Sequence, residues 1–219
     1  MENDVVLDRD SLKSGAFLQS FRETPDIEWW SAEHIAQSMR ETLRQRIKGE
    51  PVWLFAYGSL IFNPLFQVEE STLASLDGWH RSFCIRLVLA RGTPERPGRM
   101  LALEKGGRCE GIALRFREEQ LDEELGMIWT REMVGGVYRP HWTTVTLANG
   151  SVVRAIIFTA NINNILYEQD ASVTTVAPLI AAASGSLGSN KEYVMRLHGA
   201  LRQHGISDQY VHKLAAELQ

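Results

Sequence analysis

An α+β fold is predicted: a small, strongly curved mixed sheet or barrel of about six strands, flanked by helices. Three observations predict it. Strand signals crowd the middle of the chain, from residue 52 to residue 159. One helical pattern, residues 118–133, interrupts them. From residue 173 onward the chain reads as helices separated by glycine stops.

Taken in order, residues 1–50 form a helical extension expected to pack on a main domain spanning residues 51–219. Ser31 is placed to cap a helix in which Ile35, Met39, Leu43 and Ile47 recur every four residues, with Gly49 as its stop and Trp29 and Trp30 stapling its start. Glu50-Pro51 then breaks the helix, because proline disfavours helical geometry in the residue before it. The strands are expected at residues 52–57, 81–90, 100–104, 110–116, 138–147 and 152–159. Asn149-Gly150, between the last two, is a hairpin signal, since both residues tolerate positive φ. Leu121, Leu125, Ile128 and Trp129 share one face of the 118–133 helix. Residues 173–184 precede Gly185, residues 190–204 precede Gly205 with Asn190 as a possible cap, and Ser207 can cap a last helix through Leu218.

Composition narrows the function. The chain has 219 residues, 44% hydrophobic and 23% charged, enough for a core that excludes water from a site. A formal charge of −4 leaves no basic footprint for nucleic acid or anionic lipid. The acidic start Met1-Glu2-Asn3-Asp4 and the lack of a long apolar run point away from export or membrane insertion, so the cytoplasm is the expected compartment and a small molecule the expected partner. Cys84 and Cys109 lack CxxC spacing and read as strand residues. The six histidines form no HExxH or other ligand pattern, so no metal is expected, and the absence of GxGxxG and Walker motifs removes dinucleotide and nucleotide cofactors from expectation.

Two features can carry chemistry. Tyr57-Gly58-Ser59-Leu60 follows a strand, so its amides are released from the ladder where Gly58 permits close approach: either a nest for a carboxylate or oxyanion, or an ordinary turn. Glu132 lies four, seven and eleven residues beyond Ile128, Leu125 and Leu121, which places a carboxylate on the buried stripe. It is either a base with a raised pKa or the partner of Arg131, Arg139 or another arginine. Gly135-Gly136 can turn the chain sharply after it. The loop Arg91 to Arg99 either holds a substrate carboxylate or is a solvated hairpin loop, and Tyr193 either packs or points a hydroxyl into a pocket.

Several separated motifs, in one order over roughly residues 52–215, resemble the ChaC family of glutathione-specific γ-glutamylcyclotransferases. They are Phe55-Ala56-Tyr57-Gly58-Ser59-Leu60-Ile61, Gly78-Trp79-His80-Arg81, Arg91-Gly92-Thr93-Pro94 with Pro97-Gly98-Arg99, Glu110-Gly111-Ile112-Ala113, Arg131-Glu132, Tyr138-Arg139 and Asn190-Lys191-Glu192-Tyr193. Phe62 departs from the tryptophan of many relatives but keeps the aromatic character. The resemblance implies the γ-glutamylcyclotransferase-like small barrel with flanking helices. It implies a carbon–nitrogen lyase of the amidine-lyase class that converts glutathione to 5-oxoproline and cysteinylglycine without a cofactor. It implies Glu132 as general acid/base and Ala56, Tyr57, Gly58, Ser59, Leu60, Ile61, Arg91 and Tyr193 as the substrate-binding set. Alternatives are a cyclotransferase for other γ-glutamyl amino acids or amines, and a non-catalytic regulator linked to cation transport. A binder has no need of a base, so Glu132 beside an intact Tyr57–Leu60 loop weighs against the last.

Overall fold

The computed structural model describes residues 7–21 and 27–219, so the acidic start of the chain lies outside the described residues. At its centre β1 (Trp53–Ala56), β2 (Glu70–Leu87), β3 (Gly98–Arg115), β4 (Tyr138–Leu147) and β5 (Val152–Ala160) close into a barrel in the order β1-β3-β2-β4-β5. β1 runs antiparallel to β3 and parallel to β5, and this last pairing closes the ring. Every residue of β1 is buried, as its unbroken apolar run requires of a strand covered on both faces.

The expected six strands are therefore five in the barrel. Residues 100–104 and 110–116 belong to one strand, β3: Gly106 and Gly107, at φ +110 and +69, carry it through a bend that Gly78, at φ +81, allows in β2 opposite. Pairing shifts between Asp77 and Trp79 and then resumes, so the glycines mark a bulge rather than a strand end. The strand expected at 81–90 starts at Glu70 and stops at Leu87. Its first half lacks apolar alternation yet pairs from Glu70↔Arg115 to Leu76↔Cys109, and Ala90 at φ +66 turns the chain out of the sheet. The Asn149-Gly150 hairpin forms as expected, with Gly150 at φ +84 between β4 and β5.

Helix α4 (Leu121–Met133) follows β3 after a short 3₁₀ turn at Glu118–Gln120, and it seats Leu125, Ile128 and Trp129 in the core. Its Trp129 meets Phe158 of β5 edge to face at 5.0 Å. Two short helices, α1 (Arg9–Ser14) and α2 (Ala16–Gln19), contribute Leu12, Phe17, Leu18 and the following Phe21 to the same core. Helix α3 (Ala32–Leu43) has Ser31 at its cap and Trp30 stacked on His34 at 3.8 Å. It ends at Leu43 rather than at Gly49, so Ile47 falls past the helix and is exposed, no longer continuing the stripe.

The last third holds α5 (Val173–Ala182), a ribbon of β6 (Ser184–Gly185) and β7 (Gly188–Ser189), α6 (Asn190–Gln203) and α7 (Gln209–Glu217). Two caps differ from expectation by one residue. Ser189 caps α6, which frees Asn190 to bracket β3: its Oδ1 accepts from the Arg99 amide at 2.7 Å and its Nδ2 donates to the Arg99 carbonyl at 3.0 Å. Gly98 makes this possible, since a Cβ there would sit 2.3 Å from Asn190 Oδ1. Asp208, not Ser207, caps α7, because it also accepts from Arg81 Nη1 at 2.9 Å and so ties the helix to the barrel. Among the described residues, no helix is long and apolar enough to cross a membrane.

Candidate active site

β1 ends at Ala56 and the chain turns through Tyr57 and Gly58 into a 3₁₀ turn, Ser59–Ile61. The turn consumes the amides of Ile61, which donates to Gly58 O at 3.0 Å, and of Phe62 and Asn63, which both donate to Ser59 O. The amides of Gly58, Ser59 and Leu60 have no main-chain acceptor in the turn, and these three residues wall a small inner cavity of about 20 Å³, room for roughly one water. Arg81, buried in β2, fixes the turn from below. Its Nε donates to Tyr57 O at 2.7 Å, its Nη2 to Glu110 O at 2.5 Å and its Nη1 to Asp208. Gly58 is held at close quarters: a Cβ would lie 3.3 Å from the Tyr193 hydroxyl and 3.4 Å from Leu101 Cδ2.

Glu132 stands at the end of α4 between this inner cavity and a larger one of about 180 Å³, lining both with Ser59, Tyr138 and Tyr193. Its side chain is 14% exposed, and Arg131 Nε lies 3.3 Å from Oε1. That ion pair is not a hydrogen bond, and Oε1 is buried with no hydrogen-bond partner among the described residues. The Arg131 fork points elsewhere, to Ser59 Oγ and Asn63 O, both at 2.7 Å. Burial raises the Glu132 pKa, and the Arg131 charge opposes it. The expected alternatives for Glu132 thus meet in one group, a carboxylate beside an arginine with an oxygen left for chemistry.

Three phenols surround the carboxylate. Tyr57 donates to Phe158 O and Tyr138 to Leu101 O, both at 2.7 Å. The Tyr193 hydroxyl lies against the Ser59 side chain and amide, and burial pushes its pKa up to about 12. Burial also lifts Tyr57 and Tyr138 well above the ordinary phenol value, so all three stay protonated.

Of the residues singled out from sequence, Tyr57, Gly58, Ser59, Leu60, Glu132 and Tyr193 converge on the inner cavity. Ala56, before the turn, and Ile61, its last residue, line neither cavity. Arg91 lines the larger cavity but is engaged with the Ser189 carbonyl at 2.9 Å and Glu192 at 3.3 Å. Sequence reasoning left out Tyr138, Arg131 and Phe158 as site members. Tyr138 and Arg131 each stand in a matched motif, but nothing in the sequence aims them at the turn. Cys84 and Cys109 lie buried in β2 and β3, where burial raises their thiols to about 12 and about 11. Among the described residues, no three His, Cys, Asp or Glu side chains gather as metal ligands.

A desolvated carboxylate with a raised pKa, lining one cavity with the Gly58–Leu60 turn at the end of β1, is the kind of group that acid–base catalysis uses. The chain belongs to the ChaC family: the model for ChaC-like proteins matches residues 52–219. A glutathione-specific γ-glutamylcyclotransferase of Escherichia coli K12 is 42% identical over 98% of this chain and 93% of its own length. The γ-glutamylcyclotransferase 2-1 of Arabidopsis thaliana is 32% identical over 77% of this chain and 82% of its own. In fold, the crystal structure of a yeast γ-glutamyl cyclotransferase specific to glutathione superposes with a TM-score of 0.71 at 22% identity, covering 78% of this chain and 96% of that one.

Proposed function

We propose that this protein is a glutathione-specific γ-glutamylcyclotransferase, with Glu132 as its general base and then acid. The observation that carries the reading is the Glu132 carboxylate, buried with an uncommitted oxygen beside the Gly58–Leu60 amides. The substrate supplies the nucleophile. Glu132 removes a proton from the α-ammonium of the γ-glutamyl group, and the amine nitrogen attacks the γ-carbonyl carbon to close a five-membered lactam. The oxygen gains negative charge, which the Gly58 and Leu60 amides, neither of them spent on the main-chain bonds of the turn, are suited to hold. The ring nitrogen sheds a second proton as it becomes the lactam N–H, the bond from the γ-carbon to the cysteine nitrogen breaks, and the departing amine takes up the proton held by Glu132 and this second one to leave as an ammonium. Atoms balance without water: glutathione becomes 5-oxoproline and cysteinylglycine. Holding the folded substrate conformer supplies the proximity advantage.

A raised pKa suits both halves of this cycle, since the carboxylate must take a proton from an ammonium and give it to an amine. Arg131 positions the turn through Ser59 and keeps Glu132 ionisable. The reading extends to the rest of the chain. Residues 51–219 form the catalytic unit and residues 1–50 an extension whose Leu7, Phe17, Phe21 and Trp29 complete the apolar wall of the larger cavity. The chemistry calls for no metal or cofactor, and the compartment is the cytoplasm, where glutathione is reduced.

Incubation of the purified protein with reduced glutathione is expected to release 5-oxoproline and cysteinylglycine in equal amounts, read by mass spectrometry. N-acetylglutathione, whose α-nitrogen cannot attack, is expected to be inert. Release of cysteinylglycine from it at a comparable rate would overturn the cyclisation.

A further inference from the structure

The larger cavity is lined by five arginines, Arg86, Arg91, Arg99, Arg131 and Arg196, and by one acidic residue, Glu132. Three of the five are engaged. Arg131 is committed to the turn, Arg91 to Ser189 and Glu192, and Arg196 lies over the Phe62 ring at 4.9 Å with Glu192 4.0 Å away. Arg86 and Arg99 are different. They stand directly opposite one another across β2 and β3, in register. Both Nε atoms are buried without a hydrogen-bond partner among the described residues. The Arg99 side chain is only 8% exposed, and its nearest carboxylate, Glu168, is 3.9 Å away. Glu168 lies 3.7 Å from Arg86 as well, so one carboxylate at ion-pair distance serves two guanidinium groups. Asp170 lies nearby, but its carboxylate is taken by Thr175 and the Ser172 amide.

Two cations that share one loosely held anion leave a net positive charge and unspent donors. A guanidinium fork is built for bidentate carboxylate binding, and burial of unpaired donors is costly until something accepts from them. We infer that Arg86 and Arg99 form a second carboxylate site in the cavity, which reads the C-terminal carboxylate of a γ-glutamyl tripeptide while Glu132 and the turn work on the other end. This rests on the cyclotransferase reading and makes it more specific: the preferred substrate ends in a free glycyl carboxylate, rather than being a γ-glutamyl amine. Arg91, the arginine singled out from sequence, is a wall residue held by Glu192 rather than the anchor.

The test compares glutathione with its glycinamide, which differs only in that carboxylate. The parent protein is expected to favour glutathione in kcat/KM by about 10- to 100-fold, the range for hydrogen bonds to a charged group. In Arg86→Gln and Arg99→Lys the ratio is expected to fall severalfold toward one, through KM more than kcat. Arg86, 41% exposed at the side chain, can be changed with little risk to folding, so it keeps the test valid if Arg99 variants fold poorly. A parent that uses both substrates equally, or variants that keep the parental ratio, would overturn the assignment. Calorimetric binding of both compounds to Glu132→Gln separates the two inferences. If the parent makes no 5-oxoproline from any γ-glutamyl compound, the cyclotransferase reading fails; independently of that, binding of the free acid about tenfold tighter than the glycinamide upholds the carboxylate site, and equal binding removes it.

Discussion

Helix α4 carries two inward-facing carboxylates with opposite fates. Glu124, 2% exposed, is satisfied on both oxygens: Arg9 meets it with two hydrogen bonds, at 2.8 and 2.9 Å, and the Gln67 amide adds a third at 3.0 Å. Arg9 also donates to Leu65 O, so the group ties α1 and the loop before β2 to α4. Glu132 has an arginine next to it in sequence, yet that arginine spends its fork on Ser59 and Asn63. One carboxylate is consumed by structure and the other is left for chemistry. Desolvation and a neighbouring arginine are common to both, so neither singles out a base; the oxygen without a hydrogen bond is what sets Glu132 apart.

The sharpest way to break this contrast is Glu132→Gln, expected to lower kcat by about 10²- to 10⁴-fold. The sign of its stability effect follows from the raised pKa. Glu132's contribution to parent stability is fully present below the ordinary carboxylate range and is lost as pH rises through its elevated folded pKa. The glutamine carries no such loss. Melting temperatures of the two proteins are therefore expected to coincide near about pH 4 and to separate toward about pH 8 with the variant higher. A variant that melts lower at neutral pH and keeps its kcat would make Glu132 a second Glu124.

Arg131→Met is expected to cost about 10- to 100-fold in kcat, because Ser59 loses its donor and the amides lose their alignment. With its positive neighbour gone, Glu132 should titrate higher. The acidic limb of the kcat–pH profile is then expected to move to higher pH, a shift that a merely structural arginine would not produce. Gly58→Val is expected to raise KM or lower kcat about tenfold by pushing against Tyr193 and Leu101, with a smaller change in melting temperature. Unaltered kinetics there would reduce the loop to a plain turn. Last, Glu124→Gln is expected to leave kcat per folded molecule unchanged and to cost about 1–3 kcal/mol, seen as a drop of about 2–4 °C in melting temperature for each kcal/mol. Lost activity at full stability would show that the Arg9–Glu124 tie reaches the site.

Much of this protein is written in local patterns. The apolar run at residues 52–57, Asn149-Gly150 and the Ile35 and Leu121 stripes specify β1, the β4–β5 hairpin, α3 and α4, because strand period, positive φ and helical period are properties of neighbouring residues. The same helical period put Glu132 on the buried face of α4. What local pattern could not decide is what each polar group meets. Gly106-Gly107 reads as a strand end and becomes a bulge only because Gly78 bends opposite it. Asn190 reads as a cap and becomes a bracket on Arg99 because β3 passes beside α6. Arg81 gathers acceptors from the Tyr57 turn, from β3 and from the α7 cap, which lie far apart in sequence. The periodicity of the chain determined where a carboxylate would be buried. Only the closed barrel decided which carboxylate would keep an oxygen without a hydrogen bond, because hydrogen bonds are satisfied by whatever the topology brings within reach.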